Sequence, residues 1–132
     1  MTRDMDLIRE LLLRVEAMHI PAGATMAVDL TDAEFQIEGF DLDQVSYNMS
    51  LLSGAGLLDT NNKSNLGAHI ITKGLTWRGH DFLDSIRDPA IWRATKEGAK
   101  EAGGFTFELL TALAKGFLQK KIEEHTGVKL DI

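Results

Sequence analysis

Four polar side chains fall within seven residues of one amphipathic stretch: Gln44, Tyr47, Asn48 and Ser50. Each carries a hydroxyl or amide that can hydrogen-bond a phosphate or a base edge. With Val45, Met49 and Leu52 turned inward, a helical wheel points Asp43 and Tyr47 most directly outward and sets Gln44 and Ser50 at the flanks. Lys63, Lys73 and Arg78 follow in the chain and offer positive charge to a phosphate backbone. Asp41 and Asp43 oppose phosphate, so together with Tyr47 this face also reads as an acidic surface for a basic protein.

Chemistry of other kinds finds less support. His19, His69, His80 and His125 are scattered, and no pair has the i, i+4 spacing of a helical metal site. There is no cysteine, which removes disulfides and thiolate ligands. His80 with Asp81 and Asp84 is the densest titratable cluster. A solvated helix face accounts for it, and a catalytic group is the third functional reading of the chain. No phosphate-binding glycine loop, nucleophile elbow or Ser-His-Asp set is present. The expectation is a protein that is not an enzyme, with no cofactor and no metal.

The elements that must position these residues are legible from periodicity and caps. Ile8, Leu11, Leu12, Val15 and Met18 recur at helical spacing over 4–18, before Pro21 and Gly23. Residues 25–39 are less regular. Met26 to Leu30 and Phe35 to Ile37 suggest short extended pieces, with a turn or a single helical turn at 31–34. Asp41 with Gln44 makes a capping-box pattern for a helix over 41–53, with Leu42, Val45, Met49 and Leu52 on one face. Gly54 and Gly56 end it, and a strand opens at Leu57.

A polar turn at 61–67 and a returning strand from Ala68 complete a small β-wing. Thr76 caps the next helix. Asp88-Pro89 opens another, which contains Gly98 and stops at Gly103-Gly104. The last helix runs from about 106 to 125, and Gly127 ends it. Trp77, Phe82, Trp92, Phe105 and Phe107 fall where helices should cross, which assigns most of them to the core. Ala112 and Gly116 permit close approach of another helix, either within one subunit or as the seam of a homodimer.

This order of helix, strand, turn, strand and helix is the outline of a winged helix, in which the helix before the wing enters the major groove. The expected fold is α+β and mostly helical, with a winged-helix-like core over 1–88. A C-terminal helical extension over 89–132 packs on it in a single domain.

Charge divides the chain unevenly. Residues 1–60 carry three basic side chains against eleven acidic ones, and 61–132 carry eleven against nine, for a net −6. A basic face for nucleic acid can come only from the second half. No apolar run approaches the roughly 20 residues that span a bilayer, and the charged start has no signal-peptide pattern. The expected location is the cytoplasm, with no membrane partner.

Three runs carry a resemblance: R-D-M-D-L-I-R at Arg3 to Arg9, V-S-Y-N-M-S-L-L-S-G-A-G-L-L at Val45 to Leu58, and L-T-W-R-G-H-D-F-L-D-S-I-R-D at Leu75 to Asp88. G-F-T-F-E-L-L at Gly104 to Leu110 fits as a tail. Together they resemble the bacterial and prophage-associated domain of unknown function 2513. The resemblance implies a winged-helix-like core, a cytoplasmic location and a phage context, with no assigned activity. Val45 to Leu58 is also similar to the reading helix of small bacterial repressors, with Asn48 where they carry His.

Two functions follow as expectations. The first is a small phage-derived DNA-binding or transcription-regulatory protein. Gln44, Tyr47, Asn48 and Ser50 would read duplex DNA, and Lys63, Lys73 and Arg78 would hold phosphates. The second is an acidic interaction module, an adaptor or inhibitor of a basic, nucleic-acid-binding host protein, docking through Asp41, Asp43 and Tyr47.

Overall fold

The computed structural model describes residues 1–60 and 68–130. Its class is α+β: among the described residues there are five α-helices, one 3-10 turn and a three-stranded antiparallel sheet. The chain divides into two compact units, Met1–Asp81 and Phe82–Ile132.

The first unit starts with α1, Met5–Ala17. The Asp4 carboxylate caps it by accepting the Leu7 N–H at 3.0 Å. Its i, i+3, i+4 stripe of Leu7, Ile8, Leu11, Leu12 and Val15 is buried. β1 spans Met26–Asp29. A single 3-10 turn at Ala33–Phe35 follows, so Phe35 ends a helical turn and does not begin the extended piece expected of it. α2 is Leu42–Gly54, with β2 at Leu58–Thr60 and β3 at His69–Leu75. The sheet order is β1-β3-β2, so the last strand lies in the middle. Helix α1 packs on α2, β3 and the 3-10 turn.

The β2–β3 ladder carries a bulge. Asp59 opposes Gly74 and Thr60 opposes Thr72, which leaves Lys73 as the extra residue. Gly74 takes φ +109°, a left-handed conformation that a side chain resists. The Thr72 hydroxyl holds the kink by donating to the Asp59 carbonyl at 2.8 Å and accepting the Gly74 N–H at 2.9 Å.

Helix α3, Trp77–Ile86, opens against the α2–β2 turn. The Thr76 hydroxyl donates to the Gly56 carbonyl at 2.6 Å and accepts the Gly79 N–H at 3.0 Å. The Thr76 N–H donates to the Leu57 carbonyl at 3.1 Å. A Cβ on Gly79 would fall 2.1 Å from that same carbonyl oxygen, so only glycine lets the helix come this close. Trp77 corrects an expectation. It is 90% exposed, because Gly79 takes the position nearest the turn and Trp77 stands on the solvent side of the first helical turn.

The second unit contains the rest of α3 and the pair α4, Pro89–Ala102, and α5, Phe107–Thr126. Asp88 caps α4 through the Ala90 and Ile91 N–H groups, with Pro89 at the first position. Thr106 caps α5 through the Leu109 N–H at 3.2 Å. Gly98 lets α5 approach α4: an added Cβ would stand 3.3 Å from a Leu113 methyl. Phe82 and Phe107 meet with ring centroids 4.7 Å apart. Phe82 and Trp92 are buried as expected, whereas Phe105 is exposed.

Candidate functional site

The polar face of α2 is largely committed to the protein itself. Asn48 is only 1% exposed. Its Oδ1 accepts the Asp4 N–H at 2.9 Å, and its Nδ2 donates to the Gln44 carbonyl at 2.9 Å and to the Thr2 carbonyl at 3.5 Å. Asn48 therefore ties the start of α1 to α2, and its amide does not face solvent where a base edge could meet it. The sequence held this signal: position 48 lies three after Val45 and four before Leu52, inside the buried stripe.

Gln44 and Ser50 are also engaged. Gln44 Oε1 accepts the Asp41 N–H at 2.9 Å, and the Asp41 carboxylate accepts the Gln44 N–H at 2.8 Å, which closes the capping box. The Ser50 hydroxyl donates to the Tyr47 carbonyl at 2.6 Å. Tyr47 is half-buried. Asp41 and Asp43 are exposed. Among the described residues, neither Asp43 nor Glu38 has an ion pair. Leu42, expected on the core face, is 41% exposed, because the first helical residue lies beyond the body that α2 packs on.

The cationic set is divided. Lys63 lies outside the described residues, as does the tip of the expected wing. Lys73 is exposed at the bulge of β3, and Arg78 is exposed near the start of α3. In the second unit several cations meet partners. Lys121 Nζ lies 2.7 Å from Asp88 Oδ2, Arg87 pairs with Asp84 at 2.9 Å, and Lys96 lies over the Trp92 ring at 5.7 Å.

Lys121 draws the Asp88 carboxyl down from its ordinary 3.8 to about 2, and the N–H groups of Ile91 and Ala90 add to the effect. The Asp29 carboxyl is also lowered, first by the Thr31 hydroxyl and then by the Thr31 N–H, with a weaker pull from His69.

His80 faces Glu16 of α1 at 3.8 Å, and His69 faces Asp29 at 3.6 Å. Among the described residues, no group of three or more His, Asp or Glu side chains is placed to hold a metal ion. None of their helices is long and apolar enough to cross a membrane. Ala112 and Gly116 are exposed on α5, and a Cβ on Gly116 would meet nothing within 4 Å. Close packing within the subunit does not use Gly116; Gly98 serves that purpose instead.

A groove of about 670 Å³ opens where the 3-10 turn passes into α2. Leu30, Phe35, Ile37 and Val45 form its buried lining, and Phe40 and Leu42 are the more accessible apolar residues. Glu38 and Asp41 also line it, and among the described residues no Lys, Arg or His does. The turn from Ile37 to Phe40 closes through the Phe40 N–H and the Ile37 carbonyl at 3.1 Å, with Gly39 at φ +89°.

Fold and site together define a small α+β protein with a bulged β-hairpin and an acidic helix start. The chain belongs to the family described as hypothetical protein (DUF2513), whose model matches residues 2–105. That match ends before α5, so most of the run from Gly104 to Leu110 lies outside it. An uncharacterized protein of Haemophilus influenzae is 37% identical over 101 residues, covering 76% of this chain and 80% of the relative. No solved structure matches the chain.

Proposed function

We propose that this chain is a protein-interaction module whose acidic α2 start binds a basic segment of a protein partner, as an adaptor or inhibitor acting in the cytoplasm. One observation carries the reading. Three of the four side chains that would read DNA, Gln44, Asn48 and Ser50, are hydrogen-bonded within the protein, whereas Glu38, Asp43 and Leu42 face solvent at the same helix end. A DNA-reading helix commonly turns its N-terminal N–H groups toward phosphate. Here the Asp41 carboxylate already accepts from that end, and Asp43 adds a repulsive charge.

The test uses the full chain with a Lys/Arg-rich peptide and with random-sequence duplex DNA, each across a salt series. The reading expects peptide binding that weakens about tenfold or more in a Glu38→Lys/Asp43→Lys variant and fades with salt. Peptide binding that ignores both substitutions overturns it. Asp41 is left intact because its loss would uncap α2.

A second reading, a winged-helix DNA-binding regulator, is favoured by one specific observation. The order α1-β1-turn-α2-β2-β3 with sheet order β1-β3-β2 is compatible with a winged helix in which a 3-10 turn stands where such folds have a further helix. Lys73 and Arg78 would then grip phosphates. Duplex binding with a steep salt slope, lost on Lys73→Ala/Arg78→Ala substitution, would favour this second reading over the first.

A further inference from the structure

We propose that the groove between the 3-10 turn and α2 seats the apolar side chains of a basic amphipathic segment from the partner. This rests on the acidic-module reading and adds an apolar anchor to it. The groove offers an apolar floor and accessible Phe40 and Leu42, so a partner contributing charge alone would leave that surface wet. Among the described residues its lining holds two carboxylates and no cation, and Asp43 lies one residue past Leu42 on α2.

Charge complementarity therefore selects a segment that carries Lys or Arg beside Leu, Ile or Phe. An acidic or phosphate-bearing ligand would meet Glu38, Asp41 and Asp43 with no lining cation among the described residues to offset them. The groove is open rather than enclosed, which suits a chain laid across it with side chains pointing in. A polar side completes it, where Gln36 Nε2 donates to the Thr31 carbonyl at 3.2 Å.

The experiment compares two synthetic peptides of equal length and charge. One alternates Lys/Arg with Leu and Phe, and the other replaces every apolar residue by Ser. Binding to the full chain is followed by fluorescence anisotropy and by amide shift changes in isotope-labelled protein.

The anchored peptide should bind about tenfold tighter, as burial of one apolar side chain requires. Its largest shifts should fall at Ile37, Phe40 and Leu42. Leu42→Ser, at an exposed position, should remove most of the difference between the peptides. Equal binding by both peptides, weakened by Asp43→Lys, overturns the groove while the acidic face stands. Anchored-peptide shifts centred away from 35–45 also overturn it. If neither peptide binds, both the groove and the acidic module fall.

Discussion

The two units bring their helices together by different means. In Met1–Asp81 the closest joints run through backbone: Asn48 onto the Asp4 N–H, Thr76 onto Gly56 and Leu57, and Gly79 against the Leu57 carbonyl. In Phe82–Ile132 the joints are side chain on side chain, with Leu113 over Gly98 and Phe82 on Phe107. Charge follows the same division. Asp88 and Asp41 both cap helices, yet Asp88 has Lys121 at 2.7 Å, whereas Asp41 lies beside Glu38 and Asp43 with no cation among the described residues of its groove. A cap needs only a carboxylate, so the helix at α2 does not require the counter-ion that Asp88 has. Among the described residues the first unit thus keeps an acidic surface at the start of α2 on a backbone-locked frame, the arrangement that the proposed docking role would use.

The largest test of this contrast replaces two helical glycines. Gly79→Ala places a methyl 2.1 Å from a carbonyl oxygen and 3.3 Å from Leu75 Cβ, and neither can yield without moving main chain. Urea unfolding should show a loss of about 3 kcal/mol. Gly98→Ala meets only the end of Leu113 at 3.3 Å and gains about 1 kcal/mol of helix propensity. Its net effect should stay within about 1 kcal/mol of zero. Similar losses at both sites would erase the distinction between backbone-locked and side-chain-packed joints.

Next in size is Asn48→Ala, which strands the Asp4 N–H in a part-buried site and should cost about 2 kcal/mol in the same assay. A smaller loss of about 1 kcal/mol is expected for Asp41→Ala, from uncapping α2. These two substitutions separate frame from surface. Asn48→Ala should lower stability while leaving the Glu38 and Asp43 surface in place, so peptide affinity measured well below the melting temperature should change little. Glu38→Lys/Asp43→Lys should do the reverse.

What was readable in the sequence is mostly chemistry that closes within four residues. The Asp41–Gln44 capping box, the Asp88-Pro89 start, the Thr76 cap and the stop at Gly103 all occur where their spacing placed them. Each depends on neighbouring backbone alone. The orientation of Asn48 depended on α1, forty-four residues away, so its polarity suggested solvent while its position in the stripe indicated the core. Trp77 misled in the opposite sense: large aromatic area favours burial, but Gly79 set the helix so close to Leu57 that the ring stands outside. The groove was invisible because its lining gathers Leu30, Phe35 and Val45 from separate elements, and of its acidic residues only Asp41 was marked in advance as a binding residue.

The smallest effect tests the charge half of the comparison. The folded-state value of Asp88, about 2, lies below its ordinary 3.8, so the unfolded chain takes up this proton first on acidification. The pair's stabilisation is complete above about pH 4 and disappears as pH falls through about 2. Because the pair is partly exposed, moderate salt should weaken it. Lys121→Met removes the main cause of the shift but leaves the Ile91 and Ala90 N–H groups in place. The Asp88 titration, followed by carboxyl carbon NMR, should therefore move upward without reaching 3.8. An unmoved midpoint would mean that the cap alone holds Asp88 ionised, and Asp88 and Asp41 would then differ in surroundings without differing in charge balance.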